Sequence, residues 1–188
     1  MTALAPSRPQ ASGRGRLIVA LLLGALVAVS LGVYGNVHDP TGRSLVTLFF
    51  TATINLKVWL ATLAVGLAIL QVLTAAKFYG RLGGGHGPPW LGRLHRASGS
   101  LAFLATIPVA YHCLWALGFQ AAETRVLAHG LLGCAFFGAI AAKVLLVRSR
   151  GLPGWALPLA GGTVFTALVG VWLTSSLWYF TTVKFPGF

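Results

Sequence analysis

The chain has 188 residues, 56% hydrophobic and only 9% charged, with fourteen Lys and Arg against two acids, Asp39 and Glu123, and a formal net charge of +12. A soluble domain carries roughly 25% charged residues, so this composition excludes a soluble enzyme, a disordered chain and a secreted disulfide scaffold. Because the bases punctuate long uncharged runs, the charge reads as membrane topology and no nucleic-acid partner is expected.

In chain order, residues 1–15 are rich in Pro, Ser, Gly and Arg and predict a disordered cytoplasmic tail. Five uncharged runs follow: Leu17–His38, Val58–Ala76, Ala97–Ala122, Val126–Ala142 and Gly151–Val183. A helix crossing the hydrocarbon core needs about 20 apolar residues, and lipid offers peptide groups no partner outside the helix itself. Each run therefore predicts one transmembrane helix, with spans at about 17–37, 56–76, 96–118, 126–146 and 155–180. The first run exceeds the roughly 7–15 apolar residues of a signal peptide and is expected to stay as an anchor. The apolar stretch Arg43–Asn55 is expected at the outer interface, before span two. The fold expectation is an all-α integral membrane protein, one bundle of five transmembrane helices within residues 16–183. A basic, Gly/Pro-rich cytoplasmic loop at 77–95 and an outer tail at 184–188 complete it.

Counting Lys and Arg by side puts ten with the N-terminus and the loops after spans two and four, and four (Arg43, Lys57, Arg125, Lys184) on the other side. The positive-inside rule then places the N-terminus in the cytoplasm and the C-terminus outside, in a multi-pass protein of the cell membrane. The basic cytoplasmic rim is expected to attract anionic lipids. Small residues recur every fourth position in span one (Ala20, Gly24, Ala28, Gly32), span four (Gly130, Cys134, Gly138, Ala142) and span five (Gly162, Thr166, Gly170, Thr174). Such stripes let helices approach closely in lipid, and here they predict packing within the chain. Cys113 and Cys134 read as small buried residues.

With so few polar side chains, the five histidines carry the functional signal. His112 lies about six residues before the Gly118–Arg125 turn and His129 about four after it, so both sit at similar depth on antiparallel neighbours. Two neutral imidazoles placed so can ligate one haem iron. Gly133, one turn beyond His129, would leave room for a porphyrin, Phe136 and Phe137 would pack on it, and Arg125, Lys57 and Arg43 would neutralise its propionates. His95, His38 and His86 are weaker ligand candidates. Hydrogen bonding between helices is the competing reading for each histidine. A zinc or copper site of His38, Asp39, His112 and His129 is a lesser alternative, since such ions want more ligands at firmer spacing.

The segment Leu94-His95-Arg96-Ala97-Ser98-Gly99, followed by Leu101-Ala102-Phe103 and Tyr111-His112, resembles ferric-reductase-like and related b-type cytochromes of membranes. In those proteins a helix opens with His-Arg-x-x-Gly and carries a second His deeper down, and two such helices hold two stacked haems. The chain as a whole resembles uncharacterised small membrane proteins of actinobacteria. The resemblance implies a haem-binding electron-transfer protein. His95 and His112, however, are 17 residues apart, about 260° around an ideal helix, and no other span offers a histidine to partner His95. One haem b near the outer face, held by His112 and His129, is thus the expectation. A membrane quinol or another redox subunit would be its partner, and if the protein is an enzyme at all it is an oxidoreductase. Its rival is a non-catalytic membrane subunit or assembly factor without cofactor.

Overall fold

A chain this short of charge must satisfy its peptide groups within its own helices. The computed structural model describes residues 13–43, 46–83 and 87–183, and among them it contains helices, turns and no strand. The helices are α1 (Gly13–Val37), α2 (Thr53–Phe78), α3 (Trp90–Tyr111), α4 (Thr124–Val147), α5 (Ala156–Trp172) and α6 (Trp178–Thr182). A π-helical turn, His112–Leu117, continues α3, and a second, Leu173–Leu177, joins α5 to α6. Counting those continuations, five helices are long and apolar enough to cross a membrane: Gly13–Val37, Thr53–Phe78, Trp90–Leu117, Thr124–Val147 and Ala156–Thr182.

The helices overrun the predicted spans. α3 starts at Trp90, so Arg93 and Arg96 ride on its first turns, and with α2 running on to Phe78 the loop expected at 77–95 loses both its ends to helix. Likewise α1 is helical from Gly13, through Arg14 and Arg16, where a disordered tail was expected to run to residue 15. The reason is physical: an ionised residue ends the apolar stretch but leaves the backbone hydrogen bonds intact, whereas Pro88-Pro89 removes two donors and stops the helix. The remainder of that tail, His86 and the outer tail at 184–188 lie outside the described residues.

For orientation, the end of the bundle where α1 begins is called the near end, and the opposite one the far end. Packing runs α3–α2–α5–α4–α1. The α1–α4 crossing is glycine-lined, as the stripes predict. A Cβ on Gly24 would fall 2.7 Å from the Gly138 carbonyl oxygen, and one on Gly138 would fall 2.4 Å from that of Gly24. The stripe of span five splits: Gly170 faces Leu132, with a Cβ 2.9 Å from its Cδ1, while Gly162 has no atom within 4 Å. At mid-depth Ala64, Ala68, Ala105, Phe136, Ala167 and Leu168 form the core. Trp172 donates from Nε1 to Thr62 Oγ1 at 2.9 Å and buried Ser176 to the Val58 carbonyl at 3.3 Å, tying α5 and its π turn to α2.

α3 and α4 are consecutive in sequence but are not a closely packed pair. They meet through Phe103 and Phe137, ring centroids 6.1 Å apart. The far end of α3 is instead latched to α1. A π turn leaves carbonyls unmatched to the ordinary i−4 ladder, and residues just past α1 take them: Gly42 N–H donates to Ala116 O at 3.0 Å and Thr41 N–H to Trp115 O at 3.4 Å.

Candidate functional site: an imidazole-bearing cavity at the far end

The gap between α3 and α4 opens at the far end into a cavity of about 260 Å3. Ala61 and Leu168 line it together with Phe136 and Phe137, which join the mid-depth core and so close it below. Its wall is mostly apolar, and its polar groups include Lys57 of α2, Thr106 of α3, Arg125 and His129 of α4, and Thr174, Ser175 and Ser176 of the π turn after α5.

His129 is the most constrained of these. Its Nδ1 lies 3.3 Å from the Val171 carbonyl oxygen and 3.2 Å from Thr174 Oγ1. A carbonyl only accepts, and the Thr174 hydroxyl proton is directed to Gly170 O at 2.8 Å or Val171 O at 3.0 Å. Nδ1 therefore carries the ring proton, and Nε2 keeps its lone pair with no hydrogen bond among the described residues. Histidine ligands of metals are held in this way, the second nitrogen donating to a carbonyl or another acceptor. Gly133, one turn on, lines the cavity, and a Cβ added there would meet nothing within 4 Å. The open wall beside the imidazole is thus real space.

Arg125 reaches the cavity with its guanidinium already engaged. It donates to Thr174 O at 2.8 Å, lies 3.8 Å over the Trp178 ring and pairs with exposed Glu123 at 3.5 Å. Lys57 lines the wall and makes no hydrogen bond or ion pair among the described residues.

The structure does not gather every predicted site residue. His112 is 3% exposed at the start of the π turn and is not among the cavity-lining residues. Its neighbour Cys113 is. On a helix the cavity-facing line of α3 passes through Thr106, Ala110 and Cys113, and His112 falls about 100° away from Cys113, on the side that carries the buried Ala105 and Ser98. Arg43 is exposed and away from the cavity.

His38 is a structural residue. Its Nε2 donates to Trp115 O at 3.1 Å, and its ring stacks between Tyr34 and Trp115, at 4.9 and 6.5 Å. Among the described residues no group of three or more His, Cys, Asp or Glu could hold a metal ion, which removes the zinc or copper alternative built on His38, Asp39, His112 and His129. His95 stands at the near end, with Nδ1 2.6 Å from Thr74 Oγ1. The threonine partners of both histidines escaped the sequence reading, because a threonine in a helix looks like any other small packing residue. The regular i−4 spacing of Gly170 and Thr174 was the available signal.

The fold and cavity define a class: a five-helix bundle of membrane-spanning length with an apolar chamber presenting one oriented imidazole. The chain belongs to a family of unknown function, DUF6529, whose model matches residues 17–187. No curated protein and no solved structure matches it, and these comparisons lend no support to the likeness of the α3 segment to ferric-reductase-like cytochromes.

Proposed function

We propose that this is a multi-pass protein of the cell membrane, N-terminus cytoplasmic and far end outside, that holds one haem b in the far-end cavity and passes single electrons. What carries the reading is His129, with Nδ1 committed to α5 and Nε2 left with its lone pair in an apolar chamber. His129 would be an iron ligand, Gly133 would give the macrocycle room, Phe136 and Phe137 would floor it, and Lys57 would face a propionate. When bound, haem supplies a one-electron couple whose potential follows its axial ligands and burial.

The second ligand is the demanding part. His112 must turn by about one residue of register, roughly 100°, to reach the line occupied by Cys113. π turns hold one surplus residue in the ladder and are frequent at functional sites, so the element that would have to move is the one built to. The place of His112 off the cavity wall favours a second reading, a cofactor-free subunit of a larger complex with anionic lipids at its basic rim.

A visible spectrum of protein purified from haem-replete cells separates the two. Sharp reduced-minus-oxidised b-type bands, lost in His129→Ala, support the haem reading. A stable, colourless wild type overturns it. Retention of the bands in His112→Ala would replace the two-histidine site by one with His129 alone from this pair.

A further inference from the structure

One cation of the far-end cavity lacks a counter-charge. Lys57 is half-buried in the wall and makes no hydrogen bond or ion pair among the described residues. Of the chain's two acids, Glu123 pairs with Arg125 at 3.5 Å, while Asp39 is exposed and is not among the cavity-lining residues. An ammonium held against apolar surface without a partner is costly, and an anion brought to it offsets that cost. Arg125, on α4, adds donors to the same chamber. A guanidinium carries five N–H groups. Here Nη1 is engaged with the Thr174 carbonyl and Nη2 with Glu123, so N–H groups remain for a second oxygen.

Below these cations the chamber is apolar. Lys57 lies seven residues before Ala64 and Arg125 eleven before Phe136, and Ala64 and Phe136 belong to the mid-depth core that closes the cavity. The space therefore descends about 10–16 Å from cation to floor. Val58, Ala61, Val109, Ala110 and Leu168 line it. The hydroxyls of Thr106 and Ser176 are turned to backbone, donating to Phe103 O at 2.7 Å and to Val58 O at 3.3 Å. Gly133 leaves one side open, since a Cβ there would meet nothing within 4 Å.

A cation above a deep apolar chamber is selective. A small anion would answer Lys57 and leave the space beneath it empty, because water needs polar partners that this wall does not supply. A neutral or cationic amphiphile would fill the space and leave the charge unanswered. A single alkyl chain ending in a monovalent anion does both, and the α3–α4 seam, whose helices are not closely packed, gives it a way in from the bilayer. We propose that the far-end cavity binds a single-chain fatty acid, its carboxylate at Lys57 with Arg125 as second donor and its tail on the floor of Phe136 and Phe137. The site makes no use of the His129 lone pair, so it goes beyond the haem reading; the two ligands would exclude one another from the one chamber. A lysophospholipid offers the same chemistry, an anionic head on one chain, with a bulkier head.

The test uses the full chain in phosphatidylcholine nanodiscs without added haem. Laurate bearing a mid-chain diazirine is the probe, and mass spectrometry locates the adducts after illumination. Saturable labelling of chamber residues such as Ala61, Phe137 and Leu168 is expected, displaced by plain laurate and not by dodecanol. Labelling should fall by about tenfold or more in Lys57→Met, persist in Lys57→Arg, vanish in Gly133→Leu and stay unchanged in Lys77→Met, a cation at the other end of the bundle. Melting temperatures of the variants are measured in parallel, and the contrast of laurate with dodecanol needs no variant at all. Equal displacement by dodecanol overturns the proposal, as does wild-type labelling in Lys57→Met, or adducts confined to lipid-facing residues such as Leu22 and Leu26. Displacement by lysophosphatidylglycerol at lower concentration than by laurate would make the occupant a phospholipid and would also overturn it. Haem bands without labelling sink only this proposal; labelling in a colourless protein sinks only the haem.

Discussion

Thr174→Val removes one hydroxyl from behind His129 and changes little else. The side-chain outline is kept, and the backbone carbonyl of residue 174 still accepts from Arg125. What disappears is the 3.2 Å acceptor for Nδ1, while the Val171 carbonyl at 3.3 Å remains to hold the tautomer. For stability the loss is that of one interhelical hydrogen bond in a membrane bundle, about 0.6 kcal/mol and at most about 1.7. For a metal ligand, losing an outer partner costs on the order of 10–100-fold in affinity. With one of two acceptors retained, the lower end applies, about tenfold or 1.4 kcal/mol. Haem titration followed in the Soret band, on detergent-purified apoprotein, measures this directly, with Thr174→Ser expected to bind as the wild type. Wild-type affinity in Thr174→Val together with loss in His129→Ala would refute the positioning role. Unchanged affinity in His129→Ala would refute the ligand assignment altogether.

Three further outcomes follow from packing and topology. Gly138→Ala drives a Cβ to 2.4 Å from the Gly24 carbonyl and 2.9 Å from the Ala28 Cβ, and overpacking of this kind costs about 1–3 kcal/mol. Gly133→Ala meets nothing, so thermal unfolding in one detergent should lower the midpoint of the first variant and spare the second. Gly133→Leu fills the cavity from its open wall and is expected to abolish haem binding while the protein still melts cooperatively; a haem affinity like that of the wild type would remove the cavity from the argument. In a background lacking Cys113 and Cys134, Glu123→Cys should react with a membrane-impermeant maleimide on intact cells and Arg150→Cys only after permeabilisation. The opposite pattern inverts the orientation.

How far residues alone reveal this molecule depends on which coordinate is asked for. Position along the chain was legible: counting between ionised residues found all five long helices. Rotation about the axis was not. Downstream of Pro108, whose missing N–H disturbs the ladder, α3 enters a π turn at residue 112 itself, and a helical wheel alone does not say which line of α3 faces the cavity. Helix ends were misjudged for a related reason, since Arg93 and Arg96 change what surrounds the backbone without changing its hydrogen bonds. The α1 and α4 stripes were legible because close approach admits only small residues. The stripe in span five misled at Gly162, where small size serves no contact among the described residues. Thr74 and Thr174 matter through the histidines they face, and a facing residue has no signature within its own helix.

Among the described residues, the seam between α3 and α4 is held at the far end, where the segment after α1 grips Trp115 and Ala116, and a phenylalanine pair bridges its middle. A molecule using such an opening would arrive sideways out of the lipid phase. Its effective concentration would then be set by how strongly it partitions into the bilayer, so occupancy would track lipid-to-protein ratio and tail length more than the amount in the surrounding buffer. Affinities measured in micelles, where that reservoir is diluted by detergent, would understate those in a membrane.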